Sequence, residues 1–311
     1  MMNIKALQEL LRSPSNLYRL VLQKKWGGVL SDKTAISLLY KQRFGVYPNL
    51  DKPATFNEKI LWLTLYDRNP KYTIMVDKYR AKEYVQGIVG EKYIVKSIGC
   101  WSNTKEIEFN ELPLRYVLKC NHDSGSVVVC DNRRPKEEEL LRLDKALKSN
   151  YFWFSREWAY KNVSPLVFAE EYLEARDCEI GIVDYKFYCF NGEPKYILVI
   201  SNRSSGGKET FFDLSWNALD VSKGYMRHDI VPAKPSRFEE MIEIAKKLSK
   251  SIPFIRVDLF EDIDGNVRVG ELTLTPSSGM IPFKPSNYDL IFGNQLALPK
   301  KATNHEELVA I

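Results

Sequence analysis

The stretch FIRVDLFEDIDGNVRVGELTLTP, residues 254–276, decides how the chain is read. Two apolar runs, FIRVDLF and VRVGELTLTP, flank Asp264-Gly265. Asp-Gly between such runs is a strong hairpin signal, because both central residues of a type I′ turn need positive φ. With Asp264 and Gly265 as the two turn residues, Asp258 faces Glu271 and Arg256 faces Thr273. The strand period then puts Arg256, Asp258, Glu271 and Thr273 on one face, and Val257, Leu259, Leu272 and Leu274 on the other. Like charges directly opposite on a sheet repel, their Cβ atoms being about 4.5–5.5 Å apart. Either a hard cation offsets this, as Mg²⁺ does with one or two carboxylates and substrate phosphates, or a bulge shifts the register and both carboxylates are solvated. The metal reading is preferred, because Arg256 on the same face suits a phosphate or an oxyanion.

Outward from the hairpin, the texture divides the chain. Up to about residue 90 the pattern is helical, with Asp32, Thr55 and Asp77 as candidate caps and Gly90 ending the third segment. Beyond it, short β-branched and aromatic runs read as strands: RYVLKC (115–120), SVVVC (126–130), LVFAEEYL (166–173), DYKFYCFNG (184–192) and KYILVIS (195–201). Two helices interrupt them, one over 136–149 and one in which Phe238, Met241, Ile242, Ala245 and Leu248 share a face. The strands form hairpins and meanders, so the fold class is α+β with largely antiparallel sheets.

The whole composition fits a folded protein. The 311 residues are 44% hydrophobic and 27% charged, which excludes a disordered chain and gives a core without disulfide staples. A net charge of +5 leans toward an anionic ligand without calling for nucleic acid. The five cysteines, Cys100, Cys120, Cys130, Cys178 and Cys189, contain no CxxC pair and read as reduced packing residues. No run approaches the roughly eighteen apolar residues that span a bilayer, and no signal peptide is visible. The expected location is cytoplasmic, with peripheral contact to anionic lipid open to the basic N-terminal helix.

Other candidate site residues are weaker alone. Lys119 ends one strand and leads into NHDSGS, a loop whose amides can lie over phosphates, although most such stretches are hairpin turns. His122 reads as a solvated loop residue. Glu170 and Glu171 point to opposite faces of their strand, so one lies inside. It then meets either an adenine amino group or, the preferred reading from the residues alone, a neighbouring Lys or Arg. Asp184 and Lys186 share a face of the next strand. There is no GxSxG, Walker A or GxGxxG motif.

Taken in order, DK (77–78), VLK before the glycine loop (117–125), EEYL (170–173), DYK (184–186), RVD (256–258) and GELTLTPSSG (270–279) resemble the ATP-grasp superfamily, specifically its TupA-like branch of bacterial surface-polysaccharide genes. FNEKILWLTLYDRNP and SREWAY add to the likeness, which spans roughly 50–299. The resemblance implies two α+β lobes gripping ATP, here 76–165 and 166–300, after a helical region over 1–75 and before a tail over 301–311. It implies that Lys78 and Lys119 hold phosphates, that Ser124, Gly125 and Ser126 close over them, and that Glu170 reads adenine with backbone groups of Glu171 and Leu173. Asp184 takes the place of the ribose-binding acid, with Lys186 beside it, although the ARDCEIGIV insertion lengthens that spacing. Asp258 and Glu271 match magnesium ligands and Arg256 the arginine at the reacting centre. Thr273 stands where many members have Asn, which leaves a second metal less secure.

The activity implied is an ATP- and Mg²⁺-dependent carboxylate–amine ligation through an acyl phosphate, with Ser277, Ser278 and Gly279 at the reacting carboxylate. The substrates would be a uronic acid, an amino sugar or an amino acid. The rivals are a glycosyltransferase using Asp262 and Asp264 as a DxD pair, a small-molecule kinase on the same scaffold, and a basic binding protein without catalysis.

Overall fold

A computed structural model describes residues 30–175 and 180–301. The helical reading before residue 30, Cys178 and the tail after 301 lie outside these residues.

The chain opens with helix α1 (Asp32–Phe44), whose cap is Ser31, one residue before the Asp32 expected from the sequence. Ser31 Oγ accepts from the Thr34 amide at 3.1 Å, and Asp32 lies in the first turn, where its charge favours the helix dipole. Helix α2 (Phe56–Tyr66) starts at Thr55 as expected, with Glu58 closing a reciprocal capping box. After α3 (Lys71–Val76), Asp77 Oδ1 accepts from the amides of Tyr79 and Arg80 at 3.0 and 3.1 Å and starts α4 (Arg80–Val89).

Two sheets follow. Strands β1 (Ser97–Trp101), β2 (Arg115–Cys120), β3 (Val127–Asp131) and β4 (Val167–Glu171) form a four-stranded antiparallel sheet in the order β1-β4-β2-β3. The lobe boundary drawn from the sequence after 165 sets β4 with the second lobe, yet β4 pairs with β1 and β2. Helix α5 (Glu137–Leu147) covers one face, burying Leu143 with Leu118, Cys120, Val128 and Val167. A short helix α6 (Tyr151–Ser155) leads back to β4.

The larger sheet contains β5 (Asp184–Phe190), β6 (Glu193–Ser201), β7 (Lys208–Asp213), β8 (Ala218–Leu219), β9 (Met226–Arg227), β10 (Phe254–Glu261) and β11 (Val267–Thr273). Its path is β11-β10-β5-β6-β7-β8, and β9 pairs with β7 in the one parallel ladder among the described strands. One face buries Phe187, Val199, Val257 and Leu259 under helix α7 (Phe238–Ser249); there Ile244 is buried and Ile242 only partly, a shift from the expected stripe. The other face packs Tyr188, Phe190, Leu198 and Phe254 against α2 and helix α8 (Asn287–Gln295) through Phe56, Ile60 and Phe292.

The β10–β11 hairpin reaches the expected pairing by a different route. Its loop is Ile263-Asp264-Gly265, three residues, because the Asp262 amide donates to the Asn266 carbonyl at 3.0 Å and Glu261 pairs with Val267. Within the loop only Gly265 has positive φ, at 78°, so this is a turn closed by a left-handed glycine and not a type I′ turn. The longer loop slips the register by one. A bulge between Asp258 and Leu259, with Gly270 as the extra residue, slips it back, so Asp258 faces Glu271 and Arg256 faces Thr273 after all.

Candidate active site

The polar face of the hairpin carries its own countercharges. Asp258, 2% exposed, accepts at Oδ1 from Arg256 Nε (2.6 Å) and at Oδ2 from Arg256 Nη2 (2.7 Å) and Lys186 Nζ. Burial pushes the Asp258 carboxyl up, but Arg256 and Lys186 together hold it below its ordinary range. The like-charge repulsion therefore does not by itself require a metal, as the sequence reading supposed. Thr273 Oγ1 accepts from Arg256 Nη2 at 3.0 Å, so this hydroxyl also serves the arginine. Asp184 lies 3.8 Å from Lys186 and 2.7 Å from Arg203, which ties the loop after β6 to this face. Glu271 is half-buried and forms no side-chain hydrogen bond or ion pair among the described residues.

A cleft of about 570 Å³, partly open to solvent, separates the small sheet from edge strand β11. Its polar lining is Lys78, Lys82, Lys119, Glu170 and Glu271, set among apolar side chains such as Val85, Phe168 and Leu272. Lys119 and Phe168 are cross-strand partners on the sheet face opposite α5, which is why alternation along β2 and β4 turns Lys119 and Glu170 into the cleft. Glu170 is 6% exposed and pairs with Lys119 and, at 2.8 Å, with Lys82. Burial would raise its pKa, and the two lysines bring it below the ordinary value. The ion-pair reading preferred for Glu170 thus holds in this structure. Sequence reasoning missed Lys82, which looks like an ordinary lysine in the first turn of α4 and is brought to Glu170 only by the packing of that helix against β4. Glu171 is exposed, its amide donating to the Lys96 carbonyl at 3.0 Å, and Leu173 is half-buried beyond the strand end; neither lines the cleft.

The glycine loop sits at one end. Lys78 Nζ donates to the Asp123 carbonyl, Ser126 Oγ to the Asp123 carboxylate, and Ser124 and Gly125 are exposed. His122 departs from its expected solvation: it is 2% exposed, with Nε2 3.1 Å from the Ala146 carbonyl and 3.2 Å from that of Ser149. Its burial beneath α5 is a tertiary effect that a loop-like local sequence hides.

The fit to a divalent cation rests on the donor set. Glu271 offers an unengaged carboxylate, and Asp258 opposite it is held ionised, with lone pairs beyond those its cations use. Hard oxygens of this kind suit Mg²⁺ when phosphates and water complete its shell. The DxD pair proposed for the rival glycosyltransferase is otherwise employed: Asp262 accepts from the amides of Asp264 and Asn266 at 3.1 and 2.8 Å and from Arg268 Nε at 3.1 Å.

Two antiparallel-rich α+β units with a lysine-lined cleft between their sheets define the ATP-grasp class. A profile of the TupA-like ATPgrasp family matches residues 58–297, and the chain belongs to that family. No curated protein matches the chain. Among solved structures, D-alanine–D-alanine ligase from Bacillus anthracis, complexed with ATP, is 16% identical over 80% of this chain and 64% of that one, with a TM-score of 0.37. The L-amino acid ligase of Bacillus licheniformis is 13% identical over 96% of this chain and 65% of its own, with a TM-score of 0.42. The chain thus spans under two thirds of the length of each, and the family match alone identifies the fold.

Proposed function

We propose that the chain is an ATP-dependent carboxylate–amine ligase that makes an amide through an acyl phosphate, in the surface-polysaccharide setting that its family resemblance implies. The donor or acceptor would be a uronic acid, an amino sugar or an amino acid. The observation that carries the reading is a single cleft with Lys78, Lys119 and Glu170 on one wall and Glu271, opposite Asp258, on the other.

In this reading Lys78 and Lys119 balance the phosphate charge, and the loop over Ser124, Gly125 and Ser126 closes upon it. Glu170 accepts from the adenine amino group once nucleotide draws Lys119 away, with backbone groups of Glu171 and Leu173 beside it. Asp184 and Lys186 flank the ribose and phosphates. Asp258, Glu271 and the Thr273 hydroxyl would hold Mg²⁺, which would offset the phosphate charge. Arg256 stabilises charge at the transferring group, and Ser277, Ser278 and Gly279 bind the oxyanion of the reacting carboxyl. Water is excluded by closure of the two sheets, since an acyl phosphate hydrolyses.

The test is release of ADP and phosphate from MgATP that depends on both a carboxylate and an amine, screened over sugar acids, amino acids and amino sugars. Asp258→Asn and Glu271→Gln should abolish it. Release of UDP from a nucleotide sugar without ATP use, or a stable phosphorylated product without free phosphate, would replace this reading.

A further inference from the structure

Ser277, Ser278 and Gly279 follow one another in left-handed conformation, at φ 54°, 54° and 65°. L-residues avoid such a run because Cβ crowds the following carbonyl, so surrounding contacts must hold it. One such contact is Ser278 Oγ, which donates to Glu157 Oε1 at 2.8 Å across 121 residues of sequence. Glu157 lies in the turn after α6, is 6% exposed, and forms no ion pair among the described residues. The groups facing it are the hydroxyls of Ser155 and Thr275, Tyr151 from α6, Tyr160 of its own turn, and Glu271 from β11. Arg256 acts on Tyr160. Burial pushes the Glu157 carboxyl up to about 7, with Glu271 adding to the rise and the hydroxyls opposing it.

Glu157 also lines a second cavity, with Asp67, Thr64, Tyr72 and Thr275. Among the described residues no lysine or arginine lines it, whereas three lysines line the nucleotide cleft. The nucleotide cleft thus suits anions and the cavity beside Glu157 an ammonium group.

We propose that Glu157 is the general base that takes a proton from the attacking amine, and that the cavity beside it receives the head of a primary amine. This rests on the amide-forming reading above. The acceptor enters as an ammonium ion and gives one proton to the Glu157 carboxylate. Its nitrogen then attacks the acyl carbon, forming the C–N bond as the C–O bond to phosphate breaks. Phosphate leaves with the electron pair and takes up the second proton, and Glu157 returns the first to solvent. A carboxyl titrating near neutrality is matched to this transfer, which general-base catalysis accelerates by about 100-fold or more.

The test uses MgATP with D-alanine, L-glutamate or D-glucuronate as carboxylate, and with either hydroxylamine or one of ethylamine and D-glucosamine as acceptor. Hydroxylamine is already unprotonated at neutral pH and needs no base. Glu157→Gln, which can still accept from Ser278, should keep hydroxamate formation and lose amide formation at pH 7 by about 100-fold or more. The loss should shrink at high pH, where the amine deprotonates unaided, and Glu157→Asp should restore part of the rate. Equal loss of hydroxamate and amide would make Glu157 a structural clamp and overturn the role. So would wild-type protein that makes hydroxamate but couples neither amine. Absence of hydroxamate with every carboxylate would defeat the acyl phosphate reading, and the base role with it.

Discussion

Asp258 and Glu271 face each other in the ladder yet sit in different surroundings, one enclosed by Arg256 and Lys186 and the other open to the cleft. Their substitutions should therefore separate. Asp258→Ala leaves two buried cations without their partner and is expected to cost about 3–5 kcal/mol of stability, read by urea unfolding. Glu271→Gln should change stability by no more than about 0.5 kcal/mol while removing ATP turnover. Lys223 supplies a pH prediction. It is buried between the rings of Phe56 and Phe283, at 4.7 and 4.3 Å, and burial lowers its pKa to about 7. An unfolded lysine keeps its proton to about pH 10.4, so between these values the unfolded chain binds more protons and stability rises with pH. Stability measured from pH 7 to 10 should climb in the wild type, and Lys223→Met should remove that part of the slope. Nothing local marks Lys223 or Glu157 as buried: each is one charged residue in an irregular segment, and each has a hydrogen-bond partner more than a hundred residues away, Asn57 for Lys223 and Ser278 for Glu157.

At the scale of elements, the helix pair α2–α8 braces the face of the large sheet that carries the polar cluster. Asn57 donates from its amide and its Nδ2 to Asp289 at 2.9 and 3.0 Å, and Lys59 donates to the Gly293 carbonyl at 2.8 Å. A Cβ on Gly293 would lie 2.3 Å from the Ala54 carbonyl oxygen, a backbone atom that can yield only if the helices part. Gly293→Ala is expected to destabilise by about 1–3 kcal/mol in a thermal melt, with no charged group altered. Most strands were legible because alternation and β-branched runs recur in them, RYVLKC matching β2 over its full length. Strands β1 (SIGCW) and β7 (KETFFD) were not, because they carry glycine or charge where a run of large apolar residues would signal a strand.

At the scale of the whole molecule, the two sheets meet along the cleft, and the segment before β1 is tied to the large-sheet side by the Ile94–Val269 bridge, by Arg268 donating to the Lys92 carbonyl at 2.8 Å, and by Tyr93 donating to Glu240 at 2.7 Å. Nucleotide gripped between the sheets should stabilise both. Free MgATP at about 100 times its Kd should add about 2.7 kcal/mol, with amide-exchange protection rising in β2 and β11 together. An exchange response confined to one sheet would contradict binding between them. The sequence by itself determined the fold class, the order of the motifs and the hairpin that carries Asp258 and Glu271 on its two strands, because hydrophobic period and turn residues act over short distances. The tertiary structure alone decided that a bulge at Gly270 sets Asp258 opposite Glu271, that Lys186 and Arg256 neutralise Asp258, that Lys82 joins Lys119 on Glu170, and that Glu157 reaches Ser278. These follow from burial and from approach between distant segments, which no local pattern encodes.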